Sequence, residues 1–147
     1  MTAPVPKEEI VPIFQSPDEV YTTMGAFLDE ITKAPDMKAK FINADTSFLV
    51  NYHDPTCRIL VDCTQDPPVV TNDAPADAPA EIRLGMSADD AHKFWQGKLN
   101  MTVALAKKQV QVAGPMAKMM KLLPALRPAF PRYVQFLEAN GHADKVL

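Results

Sequence analysis

The chain has 147 residues, 47% of them hydrophobic and 22% charged, a balance that fits one globular domain with a single core and excludes a disordered or membrane-spanning chain. A net charge of -3 and a pI near 5.5 provide no overall attraction for nucleic acid, whose binding rests on clustered Lys and Arg. The two cysteines, Cys57 and Cys63, are too few for a zinc site of their own and lie on one predicted strand, where six residues span roughly 20 Å and forbid a bridge.

The opening "MTAPVPKEEIVPIF" has neither the basic start nor the unbroken apolar run of a secretory signal, and the closing "DKVL" is not an address of the Ser-Lys-Leu type. With no stretch long enough to span a bilayer, the expected location is the cytoplasm. Pro4, Pro6 and Pro12 make residues 1–15 an extended arm. Ser16 then offers a helix cap, Pro17 a first helical residue and Glu19 the far side of a capping box. Val20, Met24, Phe27, Leu28 and Ile31 recur at three and four, giving one apolar face that ends before Pro35. Phe41 to Ala44 fits either helix or strand.

"TSFLVNYH" and "TCRILVDC" are rich in β-branched and aromatic residues and flank the turn "HDPT", which predicts an antiparallel hairpin. Pro67, Pro68, Pro75 and Pro79 mark a loop containing a weak strand at Val69 to Asn72. From Ala80 to Met86 a strand alternates Ile82, Leu84 and Met86 against Glu81, Arg83 and Gly85. Ser87 and Asp90 cap a short helix with Ala91, Phe94 and Trp95 on one side and Gly97 at its stop. "MTVALAKK" reads as helix, "QVQVAG" as a strand with Val110 and Val112 facing one way, and Pro115 opens a helix to about Leu123. Pro124, Pro128 and Pro131 set off the tail, with a last helix from Pro131 to Ala139 carrying Tyr133, Phe136 and Leu137 on one face. This order predicts an α+β fold, a mostly antiparallel sheet covered by helices.

The landmarks Met86-Ser87, Asp89 and Asp90, Gly97-Lys98-Leu99-Asn100, Lys107-Lys108, Gly114 and the Met-rich run Met116 to Leu123 follow one another as in a known family. From Ala80 onward the chain resembles the sterol carrier protein type-2 lipid-binding domain, closely over about a third of its length and loosely back to Ser16. The resemblance implies a five-stranded, mixed but mostly antiparallel sheet layered with helices that enclose an apolar tunnel. It divides the chain into an arm (1–15), a lipid-binding domain (16–123) and a C-terminal helical extension (124–147). It implies binding, and intracellular transfer, of a fatty acid, acyl-CoA or sterol-like lipid without catalysis, metal or cofactor.

On that likeness the lipid-binding residues are Phe94, Trp95, Leu99, Met101, Leu105, Val110, Val112, Met116, Met119, Met120 and Leu123. Methionine suits such a wall because its flexible, polarizable side chain adapts to ligands of varied shape. Family members often place a glutamine where Leu123 stands, which suggests a more apolar cavity end here. The rival for each residue is ordinary core packing.

Two other functions compete. An enzyme would use His53, Asp54 and Cys57 around the turn, but no phosphate loop, His-Glu-x-x-His helix or nucleophile elbow accompanies them. His92, among Asp89, Asp90 and Lys93, reads as lying on a polar helix face. An interaction module or accessory subunit of a lipid-metabolising enzyme would fill the groove with a partner or its own tail, and Phe130, Tyr133 and Phe136 could cover the mouth, form a dimer surface or patch the core. Lys98, Lys107, Lys108, Lys118 and Lys121 read as a solvated face, with transient membrane contact as the alternative, against the net negative charge. Monomer and homodimer both remain open.

Overall fold

The computed structural model describes residues 12–147, so most of the predicted arm lies outside the described residues. The predicted hairpin forms from β1 (Ser47–His53) and β2 (Cys57–Asp62), antiparallel, with Val50 opposite Ile59. On its other side β1 pairs in parallel with β4 (Ile82–Ser87), Val50 opposite Leu84. The strands β3 (Val69–Asn72) and β5 (Gln111–Ala113) close the two edges antiparallel, giving the order β3-β2-β1-β4-β5. The sheet is thus mixed and five-stranded, as the resemblance implies.

Alternation then decides which side chains meet the helices. Phe48, Val50 and Tyr52 of β1 join Ile59 and Val61 of β2 and Ile82, Leu84 and Met86 of β4 in the main core. The residue between, Leu49, points to the back of the sheet and is nevertheless fully buried, beneath Ala74 and Ala78. The proline-rich segment is therefore a packed flap. Arg83 holds it by donating to the carbonyls of Ala76 and Ala78 at 3.2 and 2.8 Å. A central strand covered on both faces needs the near-continuous apolar run that "SFLV" supplies.

The helical layer starts with one unbroken run: α1 (Pro17–Val20), a π-helical turn (Tyr21–Gly25) and α2 (Ala26–Ile31). The Ser16 hydroxyl caps it by accepting from the Glu19 amide at 3.3 Å, but the Glu19 carboxylate takes the Gln15 amide instead of closing a capping box. Val20, Met24, Phe27, Leu28 and Ile31 are all buried, as their spacing requires. The ambiguous stretch resolves as α3 (Lys38–Ile42). Ser87 caps α4 (Ala88–Trp95) through the Asp90 amide at 3.0 Å, and Gly97, at φ 73°, turns the chain out of it. Asn100 caps α5 (Met101–Ala106).

The helix α6 (Met116–Ala125) runs through Pro124, slightly past its expected end, and after a turn the chain enters α7 (Ala129–Ala139). Proline is tolerated at Pro131 because the first turn of α7 has no intrahelical partner for that N–H. Gly114 precedes α6 at φ 122°, where an added Cβ would collide with the Glu81 carbonyl oxygen. Both the left-handed backbone and the contact restrict this position to glycine. Cys57 and Cys63 are buried free thiols, and burial pushes them up to about 11 and about 12.

The placement of His92 corrects the polar-face reading. It is fully buried, edge-on to Phe14 and Tyr133, with Nδ1 2.7 Å from the Tyr133 hydroxyl and Nε2 2.6 Å from the Lys145 carbonyl oxygen. The carbonyl contact requires Nε2–H as donor, and in the neutral ring that burial favours Nδ1 then accepts from Tyr133. A neutral imidazole thus ties α4 to α7 and to the C-terminal 3-10 turn (Ala143–Lys145). Gln96 adds to the tie, accepting from the Leu147 amide at 2.8 Å.

Two outcomes follow from this packing. Gly114→Ala should lower the unfolding free energy by about 2 kcal/mol in denaturant titration. Burial lowers the His92 pKa, so the unfolded chain binds more protons just below the ordinary histidine pKa. Stability should therefore be full above about pH 6.5 and fall as pH drops through that value toward the folded pKa, a slope that His92→Gln should flatten in thermal melts.

Candidate functional site

The helix-covered face of the sheet is not completely filled. A cavity of about 100 Å³ lies between Phe48, Val50, Tyr52, Val61, Leu84 and Met86 on the sheet and Leu28, Phe41, Ala91, Phe94, Trp95, Met101, Met119, Leu122, Leu123 and Leu126 on the helices. No charged side chain lines it, and its polar side-chain atoms are confined to the Tyr52 hydroxyl and the Trp95 indole. Burial pushes the Tyr52 phenol well above its ordinary pKa, so it stays neutral. A site of this chemistry recognises hydrocarbon by area removed from water.

Aromatic packing shapes one end. Trp95 packs edge-on against Phe27 at 5.6 Å and Phe94 at 5.1 Å, and Phe130 of α7 packs edge-on against Phe94 at 5.3 Å. Outside Phe130 runs an open groove of about 880 Å³ lined by the turn from Gly97 to Asn100, by Met101 and Thr102, and by Met120, Leu123, Pro124, Arg127 and Phe130. Met101 and Leu123 line both spaces and so stand between them.

The outer wall of the cavity is a single helix. Met119 and Leu122 of α6, with Leu126 just after it, are buried against the cavity, while Met116, Met120 and Lys121 on the other side of the helix are exposed. Lys118 pins the start of α6 by donating to Glu81 at 3.0 Å and to the Asp45 carbonyl at 2.9 Å. The Thr46 hydroxyl and Lys118 together hold the Glu81 carboxyl below its ordinary range.

Of the expected site residues, Phe94, Trp95, Met101, Met119 and Leu123 line the cavity; Leu99 and Met120 line the groove, as Met101 and Leu123 also do. Val110 is buried, Leu105 and Val112 are half-buried and Met116 is exposed, and these four line neither space. The sheet's contribution was missed in the sequence, although the alternation of Phe48, Val50 and Tyr52, matched by Leu84 and Met86, was the signal for it.

The alternative thiol site has a different geometry. His53 pairs with Asp54 at 2.9 Å on the exposed turn, whereas the Cys57 thiol lies 3.5 Å from the Pro55 carbonyl and its raised pKa keeps it protonated at neutral pH. Among the described residues no cluster of His, Cys, Asp and Glu could hold a metal ion, and no helix is long and apolar enough to cross a membrane.

The sequence profile of the SCP-2 sterol transfer family matches residues 27–127. The chain belongs to that family. No curated protein matches it by sequence. Among solved structures it is similar to the sterol carrier protein domain 2 of Helicoverpa armigera, with a TM-score of 0.62 at 17% identity over 78% of this chain and 90% of that one. It is also similar to apo sterol carrier protein 2 of Yarrowia lipolytica, with a TM-score of 0.57 at 18% identity over 75% and 88%. A third likeness is to the ubiquinone synthesis protein UbiJ-SCP2, with a TM-score of 0.56 at 11% identity over 77% and 96%. At these identities the likeness is one of fold. The SCP-2 fold supports lipid binding in general terms, and in this chain it surrounds an apolar cavity walled by α6.

The two faces of α6 respond differently to truncation. Met119→Ala, at 3% exposure, should destabilise by about 2–4 kcal/mol, and Met120→Ala, at 42%, by less than about 0.5 kcal/mol, in paired denaturant titrations.

Proposed function

We propose that this chain is a non-catalytic carrier that binds the hydrocarbon part of a fatty acid, acyl-CoA or sterol-like lipid in the α6-walled cavity. The observation that supports this most directly is the cavity lining, wholly apolar but for two neutral groups, inside an SCP-2 domain. Phe94, Trp95, Met101, Met119 and Leu123 are the residues assigned to the ligand, together with Phe48, Val50 and Tyr52 from the sheet. Residues 16–123 form the lipid-binding unit on this reading, and residues 124–147 the extension that closes it.

Magnitudes allow it. A chain of about 16 carbons at roughly 0.8 kcal/mol per methylene gives on the order of 13 kcal/mol gross, and ordering costs remove a large part of that. Ligand pockets usually measure about 300–1,000 Å³, so a cavity of about 100 Å³ has to widen. Outward movement of α6 is a route to that, because Met116, Met120 and Lys121 on its far side are exposed. The methionines can then repack around the chain.

A second reading makes the domain an accessory that presents lipid to an enzyme. The fold likeness to a ubiquinone synthesis protein is consistent with it, and it uses the same cavity.

Trp95 is the sole tryptophan and lines the cavity, so it reports on occupancy. Titration with a brominated fatty acid should quench its emission saturably, near one ligand per chain. Met119→Lys, which puts a charge into the cavity, should weaken that binding at least about tenfold while the fold is kept. A folded wild-type protein whose Trp95 emission is unmoved by brominated fatty acid and by a sterol analogue would sink the proposal.

A further inference from the structure

The net negative charge hides a strong division. From Gly97 to Leu137 the chain carries seven Lys and Arg residues and no Asp or Glu, which leaves eight basic against eighteen acidic residues for all the rest. Two of the seven are used internally, Lys118 with Glu81 and Arg132 with Asp36. Lys98, Lys107, Lys108, Lys121 and Arg127 are exposed and take no ion-pair partner among the described residues. The same segment exposes large apolar side chains, Val103 on α5 and Met116 and Met120 on α6, each 42–43% accessible.

Part of this basic and apolar surface meets at the groove. Lys98, Met120 and Arg127 line it, and it shares Met101 and Leu123 with the cavity behind. On α6 the exposed Met116 and Met120 are one turn apart, beside Lys121; Val103 of α5 and Lys107, at the end of that helix, are likewise one turn apart.

We propose that α5, α6 and the groove beside them form a docking face for an anionic lipid surface, and that lipid passes between that surface and the cavity there. The passage rests on the carrier function proposed above; the docking stands on charge and exposure alone. A basic face on an otherwise acidic molecule orients it, because anionic head groups attract one side and repel the other. Interleaved aliphatic side chains reach into the head-group layer, which a purely electrostatic partner gives no reason to expose. Nucleic acid fits less well, since the exposed apolar residues of this face are Val and Met, which offer bases no aromatic plane to stack on.

The test uses the full chain in flotation assays with two kinds of vesicle, phosphatidylcholine alone and phosphatidylcholine mixed with phosphatidylglycerol. Binding should require phosphatidylglycerol and weaken as salt rises. Lys107→Glu/Lys121→Glu lies outside both cavity and groove linings and should reduce vesicle binding at least about tenfold, while Trp95 quenching by brominated fatty acid from solution stays within about twofold of wild type. Lys33→Glu, which alters the pair with Asp29 on α2, should leave flotation unchanged. Val103→Ser/Met116→Ser should weaken it several-fold without changing the salt dependence, a second check that leaves every charge in place. Vesicle binding that ignores lipid charge or the Lys107/Lys121 reversal overturns the proposal, as does binding to heparin without binding to anionic vesicles. Fatty-acid quenching that fails while flotation succeeds would remove the carrier function and leave the docking face standing.

Discussion

The apolar face shared by β1 and β4 is the constraint on which the other features depend. The parallel pairing places Phe48, Val50 and Tyr52 beside Ile82, Leu84 and Met86, and this wide hydrocarbon surface has to be covered. The helices α2 and α4 cover part of it tightly, with Phe27 and Trp95 locked edge to face. Over the remainder lies α6, one helix thick, which together with Leu126 just after it contributes Met119, Leu122 and Leu123 and leaves a gap. Close packing is the rule for interiors, so this gap behind a wall exposed on its outer side is where the proposed carrier would take up its ligand.

The C-terminal elements give that arrangement a fixed frame. Tyr133 and Leu137 of α7 are fully buried, and the His92 imidazole joins α4 to α7 and to the chain end through two hydrogen bonds. Phe130 extends the frame to the aromatic edge of the cavity, where it meets Phe94 and Trp95. The rigid side of the cavity is thus held by aromatic contacts and a buried polar link, and the adaptable side by methionine and leucine. Flexibility is placed where ligands of different shape would need it.

Much of this was legible before any coordinates. The period-two alternation of Ile82, Leu84 and Met86, the caps at Ser16 and Ser87 and the stop at Gly97 are local signals, and each element formed where they placed it. That the sheet is mixed came only through the family likeness, and which strands run parallel was not legible at all, because β1 and β4 partners 34 residues apart leave no local trace. The burial of His92 was illegible for a similar reason: its partners Tyr133 and Lys145 lie 41 and 53 residues on. Met119 and Met120 show a finer limit. Adjacent helical residues point about 100° apart, and composition alone does not say which one faces inward. Total charge misled in its own way, since a sum of -3 conceals a 41-residue segment without a carboxylate side chain.

Lipid held between the sheet and α6, as proposed, would stay with the protein or be taken up when offered. Native mass spectrometry of freshly purified protein, with lipid extraction from the same sample and a repeat after incubation with palmitate and with cholesterol, tests this most directly. A one-to-one lipid adduct is expected, carried over from the expression host or formed on incubation, and lost in Met119→Lys. A folded protein that stays unliganded under all of these conditions would contradict the proposed binding.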